Sequence, residues 1–486
     1  FTRGVFHETD DTYYRPFLMN IMLLNYQISG QDIAGYHAVN ILLHLLSTFL
    51  LFRLFLVLGV RQLHAFLLCL VFAVHPVLTQ AVTWIPGRND TLLAVFMFLF
   101  LIGAMRYTQG GKTQTLLLSA LCLLCALFTK ETALLAPAAG FVMLVVPGKY
   151  NWKERRLVVQ YAVWAGVFTL YYAVKSAATV KSVAMDITGT LGDFVSRLPL
   201  IVQYTGKIFL PFNLSVFPIQ QDTVYYYGII ALIALVALVI LSRKHGVRMM
   251  VTGVLLFLIF LAPALLVPYS LNEQAFEHRL YLPMAGMLLL LSQTVLFRNR
   301  QTDRTVITIV VGVAAGLSVL NYRHQQHFTD PVTFWKQAAE TSPHSAYALM
   351  MYGARVDGRV NKYALIRRAY ALNPDEKYLN YYYGLMLMEQ DSIDQAEQHL
   401  LKEQRRSDYY ECDFHLASIA FQKRDFPLAA ERMERFLTRD PMNAPAHSNL
   451  LLLYLDMGRK DAALNQARKM RERGIAIAPE IQQRLR

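Results

Sequence analysis

The sequence predicts an all-α chain, a polytopic membrane domain followed by a helical-repeat domain. Apolar residues make up 55% of the 486 positions and come in long blocks up to about residue 322, while only 17% of residues are charged. A bilayer crossing takes roughly 20 consecutive apolar residues, and these blocks approach that length. Beyond Asp330 they give way to short amphipathic helical patterns. The division expected is 1–37 as an external loop with an interfacial helix, 38–325 as the membrane domain and 326–486 as the repeats.

The first segment carries Glu8, Asp10 and Asp11, then Tyr14-Arg15-Pro16 leading into an apolar stretch too interrupted for a span. Proline suits the first turn of a helix, so an interfacial helix starting at Pro16 is expected. The chain opens on Phe with no start-transfer segment ahead of its first span, so one further membrane helix is expected upstream. About ten spans follow, at 38–57, 64–82, 91–106, 115–129, 132–147, 157–175, 228–242, 249–268, 280–297 and 305–322.

Positive charge orients them. Arg61; Arg106 and Lys112; Lys149, Lys153, Arg155 and Arg156; Arg243, Lys244 and Arg248; and Arg298, Arg300 and Arg304 fall in alternate loops, which the positive-inside rule assigns to the cytoplasm. The alternation requires that 195–212, with Lys207 inside it, be a re-entrant or interfacial segment. Residues 1–37, the stretch His75 to Asp90, Thr129 to Thr132, the loop 175–227, Asn272 to Arg279 and the whole C-terminal domain then share the non-cytoplasmic side.

From residue 330 onward the pattern is of helix pairs. A small residue recurs at Ala396, Ala429 and Ala463, and proline closes units at Pro374 and Pro441. This matches the tetratricopeptide period of about 34 residues and predicts an α-solenoid. Trp335, with Ser342-Pro343 after it, is expected to cap the repeats. The Tyr381-Tyr382-Tyr383 cluster is placed to line a peptide groove, with Tyr381 and Tyr383 as acceptor-binding candidates, although helix geometry turns at least one of the three rings into the core.

The net charge of +13 is spread among loops rather than gathered into a basic tract, so no nucleic-acid partner is expected. Cys122 and Cys125 form a CxxC inside an apolar helix without a second pair, which reads as core packing. No Gly-rich phosphate loop, nucleophile elbow or HExxH is present, which argues against soluble nucleotide chemistry. Asn40 and His44 share one helical face, a polar stripe that packs against neighbouring helices or lines a cavity; no metal site is expected.

The external polar set holds the carboxylates Glu8, Asp10, Asp11, Asp90, Glu131 and Glu277 and the cations Arg15, Arg88, Lys130 and Arg279. Acids supply a general base, and Arg or Lys at a membrane face suits a phosphate or pyrophosphate on a lipid carrier. The competing reading is a set of surface ion pairs such as Arg88 with Asp90, worth little when exposed.

The order of motifs is distinctive: Tyr14-Arg15-Pro16; Tyr36-His37-x-x-Asn40-x-Leu42-Leu43-His44; His75-Pro76-x-x-x-Gln80-Ala81-Val82 with Gly87-Arg88-x-Asp90; Thr129-Lys130-Glu131; and Glu277-His278-Arg279-Leu280-Tyr281-Leu282-Pro283, all ahead of the repeats. It resembles the transmembrane-and-TPR O-mannosyltransferase-like family, within the GT-C glycosyltransferases. The resemblance implies an integral-membrane enzyme that moves a sugar from a polyprenyl-phosphate carrier to a protein Ser or Thr held by the repeats. It also implies a catalytic acid in the first external loop, for which Asp10 and Asp11 are the candidates here, with the true base expected upstream if neither serves. Arg15, Arg88, Lys130 and Arg279 would hold the donor phosphate, with His75, Asp90, Glu131 and Glu277 in support. Gln80 departs from the Glu usual in the family.

No cofactor is expected, and a divalent metal only for a pyrophosphate-linked donor. The alternatives are an oligosaccharide or glycolipid transferase of the same fold and a non-catalytic membrane scaffold. A bacterial inner membrane with a periplasmic repeat domain is favoured, and an endoplasmic-reticulum membrane with lumenal repeats satisfies the same charge rule.

Overall fold

The structure, a computed structural model, describes residues 14–178, 187–242, 246–266, 274–298 and 303–485. The chain divides into two compact units, Phe1–Gln337 and Ala338–Arg486, where the expected division was 325/326. Both are helical; among the described residues the β-type pairing is one isolated bridge between Ile219 and Gln274.

In the first unit, α1 (Pro16–Ser29) opens on its proline, and the Phe17 N–H reaches the Phe128 carbonyl at 3.2 Å. That bond ties the start of α1 to the segment just after α6. Asp32 caps α2 (Ile33–Leu58) by accepting the Ala34 N–H at 3.0 Å, and Gly59, at φ 88°, ends it in the left-handed region open to glycine. The helix α3 (Gln62–Val74) stops before Pro76, and a short α4 (Thr79–Thr83) follows with a bend of 53°. Pro86-Gly87 forms a 3₁₀ turn leading into α5 (Arg88–Thr108). Next come α6 (Thr113–Leu127), α7 (Ala136–Val145), α8 (Arg155–Ala178), α9 (Ile187–Arg197), α10 (Leu200–Phe209), α11 (Tyr226–Ser242) and α12 (Val247–Leu266). A 3₁₀ turn at Glu277–Leu280 leads into α13 (Tyr281–Leu291), then α14 (Val295–Arg298) and α15 (Asp303–Gln325); α16 (Pro331–Thr341) contains the division after Gln337.

Among the described residues, five helices are long and apolar enough to cross a membrane: Ile33–Leu58, Ile85–Thr108, Arg155–Ala178, Val247–Leu266 and Arg304–Phe328. The bent pair at 62–83 makes a sixth, and Thr113–Leu127, Glu131–Val145 and Tyr226–Ser242 are apolar but shorter. The crossing expected at 280–297 is not one continuous helix. Ser292 and Thr294 turn their hydroxyls onto the Leu289 and Leu291 carbonyls at 2.6 and 2.7 Å, and the chain breaks there. The helix α13 is buried from Tyr281 to Leu290, so protein rather than lipid covers it. The segment 195–212, expected to be re-entrant or interfacial, forms the end of α9 and the ten-residue α10.

The helices α12 and α13 meet backbone to backbone. A Cβ added at Gly286 would sit 2.5 Å from the Phe257 nitrogen and 2.6 Å from the Gly253 carbonyl oxygen. Small residues allow the close approach by which apolar helices gain packing in lipid.

The second unit stacks helix pairs: α17 (Ala346–Gly353) with α18 (Arg359–Leu372), α19 (Leu379–Glu389) with α20 (Ile393–Ser407), α21 (Glu411–Gln422) with α22 (Phe426–Arg439), and α23 (Ala444–Asp456) with α24 (Lys460–Glu472), before a short α25 (Pro479–Arg484). Ala396, Ala429 and Ala463 are each fully buried, as the repeat pattern requires. Ser345, Asp425 and Asn443 cap α17, α22 and α23. Trp335, expected to cap the repeats, belongs to the first unit and packs on Phe217 at 5.4 Å.

Gly286→Val should force α12 and α13 apart, lowering the stability of the detergent-purified protein by about 1–3 kcal/mol. The check is a thermal melt followed by size exclusion, and an unchanged midpoint would mean the helices have room to spare.

Candidate active site

The bond from Phe17 to Phe128 sets Arg15 beside the turn that follows α6. Arg15 clasps Glu131 there, Nη2 lying 2.5 Å and Nε 3.0 Å from Oε2. One residue earlier, Lys130 reaches across to the first turn of α5 and donates to Asp90 at 2.6 Å and to the Asn89 side chain at 3.4 Å. Both pairs are partly open, with Arg15 16% and Lys130 15% exposed. Arg279 joins them electrostatically, since Arg15, Lys130 and Arg279 all act on Asp90 and on His278. Burial first, then these three cations, holds His278 well below the usual imidazole range. Among the described residues the direct contacts of Arg279 are to neutral groups: it donates to the Gln274 carbonyl at 3.0 Å, lies beside the Tyr204 hydroxyl and sits 5.7 Å over the Phe276 ring, and it acts on Asp90 through space.

Among the described residues the cluster thus sets three cations against two carboxylates, Asp90 and Glu131. Burial and the neighbouring Arg15 and Arg279 push the Lys130 ammonium down, and Asp90 draws it back up. An anion at this place would relieve the like-charge crowding. Asp90 also keeps one buried carboxylate oxygen without a partner among the described residues.

Arg88 stands differently. It is fully buried, donating to Asn40 and Asn25 at 2.7 Å each and to the Tyr36 carbonyl at 2.9 Å, with its guanidinium 5.6 Å from the Tyr36 ring centre. It therefore ties α1, α2 and the start of α5 together, and no ion pair with Asp90 forms. Asn40 also donates to the Val82 carbonyl at 3.0 Å. His44, one turn on, bonds Tyr281 at 2.6 Å and the Ala73 carbonyl at 3.0 Å, so the polar stripe of α2 packs against neighbouring helices.

Behind Arg279 the turn Glu277–Leu280 is anchored in the interior. Glu277, with no exposed surface, accepts from Lys207 of α10 at 2.6 Å and from the Ser215 N–H at 2.9 Å, and its second oxygen lies 3.7 Å from His324 Nε2. Burial pushes the Glu277 carboxyl up, while Lys207 and the Ser215 N–H draw it back. Glu277 thus pairs with Lys207 rather than with Arg279. Next to it, the Gln80 carbonyl oxygen faces the His278 N–H at 3.3 Å and Nδ1 at 3.1 Å, and the Gln80 amide donates to the Val216 carbonyl at 3.1 Å. Because Gln80 Oε1 can only accept, His278 carries its proton on Nδ1. His75, also buried, has Nε2 2.8 Å from the Ile208 carbonyl and accepts the Val77 N–H on Nδ1, shaping the bend rather than facing the cations.

Of the residues expected at the site, Arg15, Lys130, Arg279, Asp90 and Glu131 come together; Arg88, His75 and Glu277 lie in the supporting interior. Asp10, Asp11 and Glu8 fall outside the described residues. In the repeat unit Tyr381 and Tyr383 part ways. Tyr381 lines a cavity, whereas Tyr383 packs between Tyr370 and His399 at 4.4 and 4.8 Å. Lys207 and Asn25 as anchoring partners were not anticipated, though a lone lysine in an apolar stretch is itself a signal that a buried acid must meet it.

These observations define a polytopic helical membrane protein with a cationic cluster and a helical-repeat unit. The chain resembles the protein O-mannosyl-transferases: it is 33% identical over 123 residues to protein O-mannosyl-transferase Tmtc1 of Drosophila melanogaster, covering 25% of this chain and 14% of that protein. It is 34% identical over 146 residues to tmtc2 of Xenopus laevis, covering 30% and 17%, and 35% identical over 147 residues to TMTC1 of Homo sapiens, covering 27% and 16%. The matched stretch is thus less than a fifth of the length of each of these three relatives. No family model matches the chain.

Lys207→Met should destabilise the protein by about 3–5 kcal/mol by stranding Glu277, and adding Glu277→Gln should recover most of that loss. Melting temperatures of the two variants decide it; a double variant no better than the single one would show that the pair is not coupled.

Proposed function

We propose that this chain is a membrane glycosyltransferase that moves a sugar from a polyprenyl-phosphate donor to a Ser or Thr hydroxyl of a polypeptide on the non-cytoplasmic side. The observation that carries this reading is the excess of one cation over the carboxylates among Arg15, Lys130, Arg279, Asp90 and Glu131, at a partly open place where the single negative charge of a lipid-linked sugar phosphodiester would balance it. The names of the relatives support a protein as the acceptor.

On this reading the acceptor oxygen attacks the anomeric carbon as its bond to the carrier phosphate breaks. The hydroxyl proton passes to a carboxylate of the first external segment, Asp10 or Asp11. Arg279, free of any carboxylate partner among the described residues, takes up the charge that gathers on the leaving phosphate, with Arg15 and Lys130 beside it. Asp90 and Glu131 keep the latter two in place, and Arg88 and the Lys207–Glu277 pair hold the frame. The repeats hold the acceptor. No metal is required for a monophosphate carrier.

Arg279→Gln is the cleanest test, because Asp90 and Glu131 keep their ion pairs with Lys130 and Arg15. Transfer from polyprenyl-phosphate sugars to a peptide library, read by mass spectrometry, should fall by about 100-fold or more with an unchanged melting midpoint. Near-normal turnover in this variant would remove the phosphate role assigned to the cluster. Arg88→Ala should instead lower the yield of monodisperse protein, as expected of a buried cation that binds three segments.

A further inference from the structure

Within the repeat unit a cavity of about 270 Å³ opens among α19, α21 and the junction of α22 with α23. Tyr381, Tyr410, Phe414 and Phe436 contribute rings to its wall, and Glu411 and Asp440 contribute carboxylates. The rings brace one another, Phe436 meeting Tyr410 at 5.6 Å and Phe414 at 5.4 Å. No Lys or Arg lines the cavity.

Its carboxylates are held in place. The Tyr381 hydroxyl donates to Glu411 at 3.0 Å, so His415 Nε2, 3.2 Å from the same hydroxyl oxygen, supplies an N–H to it. Burial pushes His415 down to about 4, leaving the ring neutral near pH 7 and the Glu411 charge uncancelled. Across the cavity, Asp440 accepts from the Asn443 amide at 2.9 Å. Asn443 in turn caps α23, which fixes the acid to the helix end.

We propose that this cavity is a subsite for a Lys or Arg side chain of a bound polypeptide. The proposal rests on the reading that the repeats hold the acceptor, and it names what they recognise. Aromatic faces attract a cation and two anchored carboxylates pair with it. An apolar side chain would desolvate both acids without replacing their water, and an acidic one would be repelled. A basic residue of the acceptor polypeptide therefore selects the segment that the repeats hold.

The test is fluorescence anisotropy on the full-length protein in detergent, using labelled Thr/Ser peptides that differ only at one central residue: Lys, Arg, norleucine or Glu. Lys and Arg peptides should bind about tenfold tighter than the norleucine peptide, with the Glu peptide weakest. Glu411→Gln, which keeps an acceptor for the Tyr381 hydroxyl, and Asp440→Asn should each erase most of that preference at an unchanged melting midpoint. Equal affinity for Lys and norleucine peptides in the unaltered protein, or a preference that survives in both variants, overturns the proposal. If no peptide of the set binds, it falls together with the repeat-held acceptor. A Lys preference without any sugar transfer supports the subsite and counts against the proposed activity alone.

Discussion

The ion pair between Lys207 and Glu277 is the contact on which the membrane unit's site depends. Both side chains are almost wholly withdrawn from solvent, 1% and 0% exposed, and they lie far apart in the chain. A charge in such an interior persists only with a partner and further hydrogen bonds, which Glu277 finds in the Ser215 N–H. The pair therefore fixes where α10, the 215–217 loop and the turn at 277–280 meet. Everything on that turn inherits its position: His278 against Gln80, and Arg279 beside Lys130 and Asp90.

The same requirement separates two kinds of cation. Arg88 is held through Nε and Nη2 by amides and a carbonyl, an uncharged cradle that joins three segments, while its Nη1 is buried without a partner among the described residues. Arg15 and Lys130 are satisfied by carboxylates while staying partly open. Arg279 has neutral contacts alone among the described residues. Arg88 and Arg279 thus differ less in sequence context than in what surrounds them, since both stand at the start of apolar helices.

Much of this was legible in the sequence because it follows from period and composition. The apolar blocks, the proline opening α1 and the recurrence of Ala396, Ala429 and Ala463 each state a local rule that the fold obeys. The break after Leu291 was missed because hydropathy averages over Ser292 and Thr294, whose hydroxyls turn back onto helix carbonyls. The pairing of charges was not legible. Lys130 with Asp90 and Lys207 with Glu277 join residues 40 and 70 positions apart, and sequence proximity instead suggested Arg88 with Asp90. Gln80 gains its meaning only in three dimensions: its amide N–H donates to the Val216 carbonyl while its oxygen accepts a hydrogen bond from His278 Nδ1–H, a division of labour that an ionised Glu could not perform.

A cluster around Arg279 that receives an anionic headgroup carried in the membrane must hold a lipid phosphate more firmly than the matching alcohol. Native mass spectrometry of the full-length protein, loaded in parallel with a polyprenyl phosphate and with the corresponding neutral polyprenol, tests it most directly. The phosphate is expected to stay bound under activation that strips the alcohol away. Equal retention of the two lipids would mean that the hydrocarbon chain alone is recognised, and the functional reading of the cluster would have to be abandoned.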